Sequence, residues 1–217
     1  MEIKVILADD HHLVREGLRS VIQKRGGDIR VIGEASSGKE VLAMAKKNPA
    51  DVYVLDITMP ILNGIATTER LIRMDPGSKI VILSIHDSRF LVEKAIKSGA
   101  RGYITKEDAV DEIILAIREA YRGRYFLSPS ISMHVIRGYL REKGQNKSEE
   151  KGAGLTNRET EILQLIAEGS SCKEIARRFG LSVHTVHGHK KNAMQKLDLH
   201  KQADLIRYAL KEGISKL

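Results

Sequence analysis

The sequence predicts a doubly wound α/β domain on a five-stranded parallel sheet, followed by a second, smaller, all-helical domain. Three observations predict it. Short, nearly continuous apolar runs alternate with helix-period segments through residue 124, a pattern that suits strands covered on both faces, as in a parallel sheet. The stretch KGQNKSEEKGAG at 143–154 then has no large apolar residue, so it has no face to bury and reads as a flexible linker. Beyond it, capped helical segments follow one another with no strand signal.

The first apolar run, Ile3–Ala8, leads into a helix-period segment at 13–25. The second, Ile29–Ala35, leads into Gly38–Lys47, where Ser37 and Glu40 have capping-box spacing. Runs at 52–55, 80–84 and 102–104 complete the strands, and helices fit 90–97, stopped by Gly99, and 108–122. Five βα units with short connections give the doubly wound arrangement. Ser128-Pro129 opens a further helix, expected to run to about residue 142. After the linker, Thr156 with Glu159 and Ser171 with Glu174 form capping boxes that open TNRETEILQLIAEG and CKEIARRF, the latter closing at Gly180. Ser182 caps VHTVHGHKKNAMQKL, whose Val183, Val186, Ala193, Met194 and Leu197 fall on one face, and a last helix is expected at 201–211. The domains expected are thus 1–124, a helix and linker at 125–154, and 155–217.

Composition narrows the function classes. Apolar residues make up 42% and aromatic residues 4%, so the core must be aliphatic. The formal charge is +8, and the last 63 residues, with 11 basic and 7 acidic side chains, hold half of it; this permits a nucleic-acid partner. A single cysteine rules out an intrachain disulfide and a cysteine-cluster metal site. The N-terminus MEIKVILADD lacks the apolar core of a signal peptide, and no run reaches ~18 apolar residues. A cytoplasmic protein with no membrane partner is expected.

The polar residues are more telling. Asp9 and Asp10 follow the first strand, Asp56 the third and Lys106 the fifth, while Ser84 ends the fourth. All lie at carboxyl ends of strands, where open α/β sheets bind ligands at the point of strand-order reversal. Loop polarity gives no reason to converge three like charges. A hard divalent cation relieves their repulsion, and an all-oxygen site suits Mg²⁺ better than Zn²⁺. With Lys106 as the opposite charge and Ser84 as a hydroxyl donor, the set suits stabilising a phosphoryl group on a carboxylate.

Asp9-Asp10, the segment Asp56-Ile-Thr-Met-Pro60-Ile-Leu-Asn-Gly64, Ser84 and Tyr103-Ile-Thr-Lys106 together resemble the receiver domain of two-component response regulators, which has a flavodoxin-like fold. The resemblance implies that Asp56 takes a phosphoryl group from a sensor histidine kinase. It further implies that Asp9, Asp10, Asp56 and the Thr58 carbonyl hold Mg²⁺, that Ser84 and Lys106 hold the phosphate, and that Tyr103 swings inward when Ser84 shifts. Such a protein is not a turnover enzyme. A haloacid-dehalogenase phosphatase would need a second acid two residues after the nucleophile, where this chain has Thr58.

In the last domain, two short helices joined by Phe-Gly-Leu-Ser, the second longer and basic, describe a helix-turn-helix. The sequence from Leu155 through Leu199 resembles the DNA-binding domain of LuxR-type regulators, and with the receiver it points to the NarL/FixJ subfamily. The resemblance implies promoter DNA as partner, with His187, Gly188 and Lys191 reading base edges and Thr185, Lys190 and Lys196 contacting phosphates. It also implies a homodimer, on DNA or once phosphorylated, and RNA polymerase as a further partner.

Overall fold

The computed structural model describes residues 2–133, 135, 136 and 155–215, which divide into an N-terminal and a C-terminal compact unit. In the first unit the order is β1 (Ile3–Ala8), α1 (His12–Arg25), β2 (Ile29–Ala35), α2 (Gly38–Lys47), β3 (Val52–Asp56), α3 (Gly64–Met74), β4 (Lys79–Ser84), α4 (Arg89–Lys97), β5 (Gly102–Thr105), α5 (Ala109–Tyr121) and β6 (Phe126–Leu127). The strands pair in parallel in the order β2-β1-β3-β4-β5-β6.

The continuous apolar runs are explained by helices on both faces. Alternate residues of each strand point opposite ways: Ile6, Tyr53, Leu55, Ile80, Ile82 and Tyr103 join the core that Val41, Leu71 and Leu91 of α2, α3 and α4 complete. Val5, Leu7, Val52, Val54, Val81, Leu83 and Ile104 join the opposite core, completed by Leu18 and Ile22 of α1 and Ile113 and Ile117 of α5. Strand order reverses between β1 and β3, and their carboxyl ends carry the acids.

The sheet has six strands rather than five. Two residues cannot display a period, and β6 exists because the chain, turned by Gly123 at φ +76°, returns along β5. There Phe126 donates its N–H to the Arg101 carbonyl at 2.9 Å. The helix expected after Ser128 is present at 129–133, 135 and 136; its expected continuation to about 142 and the linker at 143–154 lie outside the described residues. Ser37 caps α2, but the Glu40 carboxylate accepts from the Ser36 N–H at 2.8 Å, one residue before the reciprocal bond that the spacing suggested.

The second unit comprises α6 (Asn157–Ala167), α7 (Cys172–Phe179), α8 (Val183–Lys196) and α9 (Gln202–Lys211). Both expected capping boxes form, and Gly180, left-handed at φ +65°, ends α7. Ile162, Leu165, Ile166, Ile175, Ala176 and Val186 form one core. Ala193 and Leu197 are buried as the α8 pattern requires, whereas Val183, at the first helical position, is exposed. No helix among the described residues is long and apolar enough to cross a membrane.

Candidate functional site

The sheet itself brings the pocket together. Asp56 is the last residue of β3 and Ser84 the last of β4. Lys106 extends the ladder past β5 by donating its N–H to the Ser84 carbonyl at 2.7 Å. Asp9 leaves β1 with its N–H on the Ala35 carbonyl at 3.1 Å. Gly64 closes the loop after Asp56: its N–H donates to Ile57 O at 2.9 Å, and a Cβ there would lie 2.3 Å from the Asp56 carbonyl oxygen. Only glycine allows that approach.

Asp9 and Asp56 are about 1% exposed, and burying two carboxylates is costly unless their charge is met. The Lys106 ammonium meets it, 2.5 Å from Asp9 Oδ2 and 3.1 Å from Asp56 Oδ2. Asp9 Oδ1 accepts the His11 N–H at 2.8 Å, and Arg15 donates to the Asp9 carbonyl at 2.6 Å. His11 Nδ1 lies 3.1 Å from Asp9 Oδ1 and 2.8 Å from Asp10 Oδ1. One ligand atom each from Asp9, Asp10, His11 and Asp56 all lie within 4.8 Å of one another. Three carboxylates at that separation are the donor set of a hard divalent cation, so the predicted acids fit a metal. Thr58, two residues beyond β3, is buried.

Ser84 and Tyr103 meet through a single residue. Ser84 Oγ accepts the His86 N–H at 3.0 Å, and Tyr103 OH donates to the His86 carbonyl at 2.8 Å. Tyr103 is fully buried, and that burial pushes its hydroxyl well above the usual phenol range, so it stays a donor.

Sequence reasoning missed His11 and Arg15. Their signal was proximity: one directly follows the acid pair, and the other lies four residues further on, one turn into α1.

On the second unit, Thr185, His187, Gly188, Lys191 and Lys196 are exposed along α8 and Lys190 is half-buried. Thr185 belongs to the cap, with its N–H on Ser182 Oγ at 3.0 Å. His187, Lys190 and Lys191 line one side of a shallow cavity of about 310 Å³ whose other side includes Leu199 and His200. Lys190 donates to Gln202 Oε1 at 2.6 Å. Lys196 points elsewhere: its ammonium lies 2.7 Å from Oε2 of the buried Glu159. Burial raises the Glu159 pKa, but the Lys196 ammonium and the Thr156 N–H outweigh it and hold the carboxyl below the usual range. Gly188 is required by nothing in its own unit, since an added Cβ would meet no atom within 4 Å.

Comparison with known proteins identifies the families of both units. Residues 5–118 match the response regulator receiver domain, and residues 153–209 match the LuxR family of bacterial regulatory proteins. The chain belongs to the response regulators. It is similar to the oxygen regulatory protein NreC of Staphylococcus carnosus, at 35% identity covering 98% of this chain and 99% of that one. It is also similar to the response regulator UvrY of Escherichia coli, at 32% identity covering 98% and 95%. Among solved structures, RcsB of Salmonella enterica serovar Typhimurium, bound to a promoter in the presence of the phosphomimetic BeF3⁻, superposes with a TM-score of 0.75 at 25% identity, covering 96% of this chain and 98% of that one. This response regulator is therefore a two-component transcriptional regulator, with a receiver fold in its first unit and a LuxR-type helix-turn-helix in its second.

Proposed function

We propose that this response regulator is a cytoplasmic phosphorylation switch for promoter binding, with Asp56 as phosphoacceptor and Mg²⁺ as cofactor. The observation that carries the reading is the buried Asp9–Lys106–Asp56 bridge at the sheet's switch point, beside Asp10. An Asp56 carboxylate oxygen forms the new P–O bond as the P–N bond to a sensor kinase phosphohistidine breaks, and the released imidazole nitrogen takes up a proton from solvent. Lys106 and Ser84 hold phosphoryl oxygens. Asp9, Asp10, Asp56 and the Thr58 carbonyl hold the cation, which supplies charge neutralisation to the incoming phosphate. The protein ends this step modified, so it is not a turnover enzyme.

For the output, His187, Gly188 and Lys191 read base edges, and Thr185 and Lys190 contact phosphates. Lys196 joins them only by giving up Glu159. That Gly188 persists in mid-helix without a packing reason supports close approach of a partner there. The solved RcsB–DNA complexes, among them two dimers bound to two parallel DNAs, support a homodimer on DNA; RNA polymerase is the further partner of the family.

The test pairs phosphorylation with selection of DNA from a random pool. Acetyl phosphate with Mg²⁺ should label the wild type, while EDTA or Asp56→Asn should abolish labelling, and labelled protein should enrich two related half-sites. Labelling of Asp56→Asn at wild-type stoichiometry would refute the nucleophile.

A further inference from the structure

The segment after α5 is where sequence and structure part most. Leu127 pairs with Tyr103 across β5 and β6, and the buried Ser128 donates its N–H to the Tyr103 carbonyl at 3.1 Å. One helical turn on, Ile131 is 0% exposed, in the same core as Tyr103, Leu91, Val92 and Ala95, with Leu127 and Val135 packed against it. Ser130 Oγ donates to Asp108 Oδ2 at 2.6 Å, and that same oxygen accepts from Thr105 at the end of β5, 2.8 Å away. Hydrogen bonds from Ser130 and Thr105 hold the Asp108 carboxyl below the usual range.

Tyr103 thus has three attachments. Its hydroxyl reaches the His86 carbonyl, one residue's backbone from the His86 N–H that Ser84 receives. Its main chain pairs with Leu127 and Ser128, and its ring, one of the largest fully buried side chains, fills the core that Ile131 enters.

We infer that residues 126–133, 135 and 136 belong to a strap of the receiver whose docking is coupled to the inward position of Tyr103, so that the phosphoacceptor pocket controls the chain leading to the second unit. Two paired residues do not make a stable strand alone, so β6 stays docked through Ile131 and the Ser130–Asp108 bond. An outward Tyr103 removes the largest neighbour from that core and loosens Ile131. A released strap adds reach of about 36 Å to the chain between the units, taking ~3.3 Å per extended residue. An element held by few contacts is a two-state element that a distant site can bias. The inference rests on the proposed phosphorylation of Asp56 and on the inward swing of Tyr103 that the receiver resemblance implies.

The test is hydrogen–deuterium exchange on the full-length chain, with and without Mg²⁺ plus beryllofluoride. In the wild type, peptides covering 84–88 and 126–133 should both slow, the strap by about tenfold or more. Tyr103→Phe keeps the ring and loses the hydroxyl, so its strap should stay docked while no longer responding to beryllofluoride. Ile131→Ala should speed exchange at 126–133 at least tenfold without beryllofluoride. Should that variant loosen the whole receiver, Ser130→Ala, which touches no core, should still speed it about threefold. A pocket that slows while the strap does not respond overturns the coupling and leaves the proposed function standing. A pocket that does not respond overturns both. Wild-type strap protection in both Ile131→Ala and Ser130→Ala overturns the docking argument itself.

Discussion

Lys196→Met separates two readings of the basic recognition face. The substitution keeps the aliphatic stem and removes the ammonium 2.7 Å from Glu159 Oε2. Glu159 is 4% exposed and Lys196 37%. Breaking a fully buried pair costs about 3–5 kcal/mol, whereas exposed pairs are worth about 0–1 kcal/mol. With one partner buried and the other more than a third open to solvent, about 1–2 kcal/mol is expected; the carboxylate retains the Thr156 N–H at 2.7 Å. In a unit of this size that lowers the transition midpoint by roughly 4–15 °C. Lys191→Met is the matched control, because Lys191 is exposed and takes part in no ion pair among the described residues. It should leave the midpoint within about 2 °C and, because Lys191 reads a base edge, weaken binding to the selected half-sites more than to unrelated DNA. Calorimetry on the full-length chain and fluorescence-anisotropy titrations across a salt series read both quantities. If Lys196→Met leaves the midpoint unmoved and reduces the salt slope of DNA binding by about 1, then Lys196 is a phosphate contact and the Glu159 pair contributes nothing to stability.

Three further outcomes follow from single contacts. Gly188→Ala adds a Cβ that meets nothing, so it should stabilise the second unit by about 0.5–1 kcal/mol while weakening DNA binding in the same titrations. Gly64→Ala drives a Cβ to 2.3 Å from the Asp56 carbonyl oxygen; the displaced backbone should lower receiver stability by about 1–3 kcal/mol and slow labelling by acetyl phosphate by up to about 100-fold. Because the Glu159 carboxyl is held below its ordinary value of 4.5, its contribution is fully present above that pH and is lost as pH falls through the lowered value. Acid titration of the second unit by circular dichroism should therefore show a loss below about pH 4.5 that is smaller in Lys196→Met, where Thr156 alone is left to offset burial of Glu159.

How much was legible in the sequence depends on how far apart the cooperating residues lie in the chain. The strand Ile3–Ala8 and its following Asp9-Asp10 could be read together, because a continuous apolar run implies a parallel strand and a parallel strand fixes where its carboxyl end points. The same logic reached Asp56, Ser84 and Lys106, each at the end of its own run. Capping boxes were legible because both partners lie within four residues, and even there Glu40 chose Ser36 over Ser37. The Lys196–Glu159 pair joins residues 37 positions apart, and nothing in α8 alone marks Lys196 as different from Lys191. β6 was hidden for the same reason: its two residues are a strand only because β5 already offers an open edge.

Charge explains why the pocket works only as a set. Asp9, Asp10 and Asp56 carry three negative charges and Lys106 one positive, so the unmodified pocket repels an incoming phosphate. A divalent cation among the acids brings the sum to neutrality, which lets the donor approach. The proposed transfer would replace one negative charge on Asp56 with about two on the phosphoryl group, so the pocket would hold the cation more tightly. By linkage the cation stabilises the phosphorylated form by the same factor. Lys106, already bridging two of the acids, keeps the folded pocket from flying apart without the metal. On the proposed reading, a phosphoryl oxygen would become its third partner. The Ser84–His86–Tyr103 path begins at the residue whose carbonyl receives the Lys106 N–H, so on the proposed reading a shift of Ser84 toward the new oxygens would be the change that reaches the rest of the receiver.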